Sequence, residues 1–168
     1  MNQFLTFVLA CWLTTGICHA ELKDAFKWST AQVPEVVVKN GQVGAYINDT
    51  LLLAGGMDEA GRPSSSIYAL AQDAPGRYRL VAQSEFDLPI GRSQSAYRED
   101  GLYIAGLSGK PSRTVYKITY ADGRIGSEEL PALPRAAEVI GIDFTEFLLC
   151  VFGIDGETGK NVLYTLTI

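Results

Sequence analysis

Apolar and polar positions along the chain fall into a pattern that repeats three times. An apolar run ends in glycine: Leu51-Leu52-Leu53-Ala54-Gly55-Gly56, Leu102-Tyr103-Ile104-Ala105-Gly106 and Leu148-Leu149-Cys150-Val151-Phe152-Gly153. Each is followed by a strand centred on tyrosine: Ile67-Tyr68-Ala69-Leu70, Val115-Tyr116-Lys117-Ile118 and Leu163-Tyr164-Thr165-Leu166. The three tyrosines stand 48 residues apart (116 − 68 and 164 − 116). Ahead of each apolar run lies a further predicted strand, over 43–47, 94–98 and 138–143. After the tyrosine strand comes a fourth, at 78–81 and 127–130. The leucine-rich runs predict strands buried on both faces. Asn48-Asp49 and Asp122-Gly123 have the chemistry of tight hairpin turns. Leu88-Pro89-Ile90-Gly91-Arg92 and Leu133-Pro134-Arg135 read as connections between repeats, because proline offers no N–H to a sheet. No helix-period segment of useful length follows residue 27.

A period near ~50 residues with glycine after a buried strand is the signature of kelch repeats, one four-stranded blade each. The expected fold is therefore all-β: a kelch-type β-propeller segment of about three four-stranded antiparallel blades. The repeats span approximately 43–88, 94–131 and 138–168, and the last stops after its third strand. Residues 26–33, around Trp28, are read as its missing fourth strand. Closed propellers typically hold 4–8 blades, and an open end exposes strand edges that invite pairing. Two copies joined head to tail would make a homodimer with six blades; a remnant of a longer gene is the alternative reading.

The N-terminus has its own pattern. Phe4 to Leu13 is almost continuously apolar, and no charged side chain precedes Glu21. The run is too short for a membrane span, which needs ~20 apolar residues. Cys18-His19-Ala20 offers small residues at the −3 and −1 positions of a signal-peptidase site. Residues 1–20 are thus read as a signal peptide cleaved near Ala20, and 21–168 as a periplasmic or secreted domain. A lipoprotein, with Val8-Leu9-Ala10-Cys11 as a loose lipobox, is the alternative.

Composition narrows the chemistry. Residues 21–168 contain no histidine and one cysteine, Cys150, so a zinc site, a Ser-His-Asp triad and a Cys-His dyad lack their parts. A net charge of −5 without a basic cluster argues against nucleic acid as a partner.

In a propeller the loops after the leucine-rich strands and the connections between repeats gather at one mouth. Asp58, Glu59, Arg62, Arg92, Lys110, Arg113, Arg135, Glu138, Asp155 and Glu157 would lie there. Each is a candidate for binding, against the commoner reading of an ordinary solvated loop charge. Arg92 and Arg135 share one offset after a Leu-Pro turn; their alternative is a structural pairing with a neighbouring blade. The tyrosines read as packing residues. Asn48-Asp49-Thr50 matches a glycosylation sequon by pattern only.

Three stretches resemble the bacterial sialic-acid mutarotases, the N-acetylneuraminate epimerases, and especially their cyclically permuted relatives. They are Gly44-Ala45-Tyr46 leading to Leu53–Gly56, Leu88–Arg92 to Tyr97, and Glu129-Leu130-Pro131-Ala132-Leu133-Pro134. The likeness spans 28–168, about half of a full-length member. It implies a periplasmic propeller that exchanges the anomers of N-acetylneuraminate, or of another small sugar acid, without a cofactor. The family's loop of Gly-Glu, Pro-Gly and Arg-Thr is nearest to 106–114 here. Arg113 and Thr114 match, whereas Leu107 or Ser108 stands where the glutamate would be. The resemblance implies Arg113 as a substrate-binding residue. Arg92 and Arg135 join it as candidates through their shared offset after the Leu-Pro turn, and Glu157, after Gly156 in the equivalent loop of the third repeat, is the remaining candidate acid/base. A non-catalytic kelch module binding a glycan or a protein is the alternative function.

Overall fold

The computed structural model describes residues 39–107 and 110–168, with Thr30, Ala31 and Val33. The leader at 1–20, Trp28 and most of the segment 26–33 lie outside the described residues, as do Ser108 and Gly109. Among the described residues the fold is all-β and antiparallel, with no helix. No helix there is long and apolar enough to cross a membrane.

Among the described residues, eleven strands form three successive meanders. The first comprises β1 (Val43–Ile47), β2 (Thr50–Ala54), β3 (Ser64–Ala74) and β4 (Arg77–Ile90), hydrogen-bonded in that order. The second is β5 (Gln94–Arg98), β6 (Gly101–Leu107), β7 (Lys110–Ala121) and β8 (Arg124–Glu129). The third is β9 (Ala137–Phe144), β10 (Leu148–Asp155) and β11 (Asn161–Thr167). A single residue pair, Ser112 with Ala137, joins the second to the third. The leading strands are neighbours: β5 contacts both β1 and β9.

Local chemistry sets the hairpins. Asn48 and Asp49, at φ +48° and +58°, connect β1 to β2, and Asp122-Gly123 connects β7 to β8 at +52° and +73°. Both are two-residue turns whose twist matches that of the flanking strands. Gly55 cannot be replaced as easily. Its φ is +67°, and a Cβ there would lie 2.4 Å from the Ile90 carbonyl oxygen.

Two apolar cores lie on either side of the second meander. Ala54, Leu52 and Ile67 of the first meander pack with Leu102, Ile104, Tyr116 and Ile118 of the second. The other face of the second meander, Tyr103, Ala105 and Val115, packs with Ala137, Ile142, Leu149 and Val151 of the third. Successive residues of β6 therefore enter different cores, and every residue from Gly101 to Gly106 is buried. The expected burial on both faces holds for β6. In β2 it does not: Leu51 and Leu53 alternate as half-buried with buried Leu52 and Ala54. β2 has a core on one side only, and its pattern follows.

The first meander also departs from expectation in length. β3 and β4 run for 11 and 14 residues, accommodated by three irregularities in register. Pro89, expected in a connection, lies inside β4. That strand is at the sheet edge, where a missing N–H costs no ladder bond. Ile90 is fully buried and closes the first core.

Candidate functional site

Of the loops and connections named from the sequence, three are bonded to one another at the junction of the second and third meanders. The segment between β8 and β9 is tied to β7 by hydrogen bonds in both directions. The Leu133 amide donates to the Arg113 carbonyl at 2.8 Å, and Arg113 Nε donates to the Leu133 carbonyl at 2.7 Å. The next part of that segment is tied to the β10–β11 loop. The Gly156 amide donates to the Ala136 carbonyl at 2.9 Å, and Arg135 lies 3.8 Å from the Asp155 carboxylate. Arg113, Arg135, Asp155 and Glu157 are thus carried by three segments bonded to one another.

Asp155 organises this loop. It is 3% exposed, yet its Oδ1 accepts from the Glu157 amide at 3.0 Å, the Thr158 amide at 2.8 Å and the Thr158 hydroxyl at 3.0 Å. The Thr158 amide above all holds the carboxyl below its ordinary range, with the Thr158 hydroxyl, the Glu157 amide and Arg135 adding to it against the opposing effect of burial. With Oδ1 saturated and Oδ2 facing Arg135, Asp155 is a structural anion. An Asp followed three residues later by Thr is the signal for such a turn. It distinguishes Asp155 from the other loop acids. Glu157 is exposed on the same loop, with its amide used by Asp155 and its carboxylate in no ion pair among the described residues.

The four residues singled out from the sequence have different surroundings. Arg113 and Arg135 are exposed, and each has one partner in the junction just described. Arg92 belongs to the other junction, between β4 and β5, where its aliphatic stem lies against Gly41. It is exposed and makes no ion pair among the described residues. Lys110, also exposed, begins β7. In the first meander Asp58 and Arg62 satisfy each other: Arg62 donates to Asp58 from its amide and from Nε, both at 2.8 Å. The Arg62 amide is the main cause that lowers the Asp58 carboxyl.

A second polar group lies at the opposite end of the second meander and was not read from the sequence. Tyr103 is 2% exposed, and its hydroxyl donates to Asp100 Oδ2 at 2.8 Å. Lys117 Nζ donates to the same oxygen at 2.7 Å and sits 5.4 Å from the Tyr103 ring centre. Burial, then the Asp100 contact, push the Tyr103 phenol up, while the bond to Asp100 raises Lys117. The spacing that unites them, one turn residue and two facing strand residues, becomes visible only with the register of β6 and β7.

No family model matches the chain, and no curated protein matches it in sequence.

Proposed function

We propose that this chain is a kelch-type β-propeller segment whose loop mouth binds a small sugar acid, with N-acetylneuraminate the first candidate. The architecture half of this reading is supported by the three meanders and by β1, β5 and β9, each hydrogen-bonded to its own meander on one side and adjacent to one another. A propeller arranges its innermost strands in that way around a channel. The single observation that carries the ligand is the set of exposed cations at the junctions: among the described residues Arg92 has no ion pair, and the one anion near Arg135 is 3.8 Å away. A guanidinium presents a planar fork that suits a carboxylate.

Anomer exchange needs a base to take the proton from the anomeric hydroxyl and return one to the ring oxygen. Asp155 is committed to its turn, and Glu157, exposed on the same loop, is the candidate for that role. A second reading, binding without turnover, is favoured by Leu107, which is packed against the first core where the resemblance would require glutamate.

NMR of freshly dissolved α-N-acetylneuraminate separates them. The enzyme reading predicts faster exchange at micromolar protein, lost in Glu157→Gln. The binding reading predicts a thermal shift with N-acetylneuraminate, reduced in Arg92→Ala, and exchange at the buffer rate. The absence of both acceleration and a thermal shift would overturn the ligand assignment.

A further inference from the structure

The repeat makes three cross-strand pairs equivalent. Ala54 faces Ile67 across β2 and β3, Ala105 faces Val115 across β6 and β7, and Phe152 faces Leu163 across β10 and β11. The first two pairs are buried, each against the meander that follows it. The third pair is 44% and 56% exposed. A second set of pairs faces the other way. Ile104–Tyr116 packs on the first meander and Val151–Tyr164 on the second. Their counterpart in the first meander is Leu53–Tyr68, which points away from the first core.

Each internal junction therefore sets a pair of the first kind against a pair of the second kind. Phe152–Leu163 and Leu53–Tyr68 are the two pairs left without a junction among the described residues. The edge of β11 gives the same message. β11 bonds only to β10 there, and beside it lies a pocket of about 190 Å³ between Tyr164–Leu166 and Pro131–Pro134. The Tyr164 hydroxyl is buried without a hydrogen-bond partner. A fourth strand alongside β11 would occupy this place.

We propose that the outer face of the third meander and the free edge of β11 form one docking surface for the first meander of a second copy of this chain, arranged head to tail. This rests on the blade reading above. A single added strand could pair with β11 but would leave Phe152 and Leu163 uncovered, which is why the occupant is a whole meander. The copy's Leu53 and Tyr68 are the apolar pair that Phe152 and Leu163 lack. Two such junctions close a ring of two chains.

The test is the solution mass of the full chain by light scattering after gel filtration, in wild type and in two charge variants. Phe152→Lys alters one docking face and Tyr46→Asp the other; Tyr46 shares its face with Leu51 and is 47% exposed. Both positions are solvent-accessible within one chain, and a retained far-UV spectrum and cooperative melt verify folding. The wild type is expected at twice the chain mass, and each variant alone should dissociate at least about tenfold more readily. An equimolar mixture of the two should regain the dimer, because the mixed pair has one native junction and one Lys–Asp junction. A monomeric wild type, single variants that stay dimeric, or a mixture that stays monomeric would each overturn the proposal. Sugar binding that persists in a monomer would leave the ligand reading standing and remove only the docking.

Discussion

The second and third meanders share a sequence pattern and differ in what surrounds them. β6 sends Leu102 and Ile104 into one core and Tyr103 and Ala105 into the other, so all of it is buried. β10 sends Leu149 and Val151 into a core, while Phe152 on its other face is 44% exposed. Similar apolar runs thus have two levels of burial, and a strand's energetic weight depends on how many neighbours its meander has. In repeat proteins stability sums the terms of each unit and of its junctions with its neighbours.

The largest expected effect follows from this contrast. Ile104→Ala should lose about 3 kcal/mol of unfolding free energy, because it empties a site with no solvent on either side. Leu163→Ala in the monomeric Phe152→Lys background should change stability by less than about 0.5 kcal/mol. Denaturant titration of the two variants reads the difference, and equal losses would break the comparison. Next is the backbone of the first meander. Gly55→Ala combines a left-handed φ with a collision at the Ile90 carbonyl and should cost about 2 kcal/mol. Gly61→Ala, at φ +74° but with open space around it, should cost about 1 kcal/mol. Comparable melts for the two would deny that Ile90 is seated against Gly55.

Smaller effects separate the two polar groups by pH. Tyr103→Phe should cost about 1 kcal/mol at neutral pH through its lost bond to Asp100. The phenol is raised above its ordinary 10.0, so its contribution is complete below that value and disappears as pH climbs through the folded-state pKa. The alkaline loss of stability should therefore be shallower in Tyr103→Phe. Asp155 acts on the other limb. Its carboxyl is lowered from 3.8, so it stabilises above that value and the contribution is lost as pH falls through the folded-state pKa. Asp155→Asn should flatten the acid limb; thermal melts between about pH 2 and 5 measure this, and an unchanged slope would contradict the structural role given to Asp155.

Much of the strand layout was legible because tyrosine and glycine recur at nearly fixed intervals. The strand expected over 43–47 is β1 and that over 94–98 is β5, and the leucine-rich runs all lie in the second strand of a meander. The end of β3 beyond Leu70 and the part of β4 beyond Val81 were not legible. Gln72, Gln83 and Glu85 are exposed there, so their polarity mimics a loop although the backbone remains paired. Pro89 misled for a related reason, since an edge strand tolerates a residue that a central one rejects. At the site, residue type identified the charged loops but not their commitments. Asp155 and Glu157 are two residues apart and equally acidic, yet one is buried in a web of amides and the other faces water. Which faces pack together depends on register, and register is invisible until strands are paired.

Hydrogen exchange read by mass spectrometry tests the central contrast most directly, on wild type beside Phe152→Lys. Peptides covering β6 should exchange slowest in both proteins, because both cores hold that strand within a single chain. Peptides covering β11 should be protected in wild type and exchange rapidly in Phe152→Lys, where the edge strand has lost its cover. If β11 exchanges at the same rate in both, or β6 exchanges as fast as β11, the account of a doubly buried middle meander and a third meander covered by a second copy is contradicted.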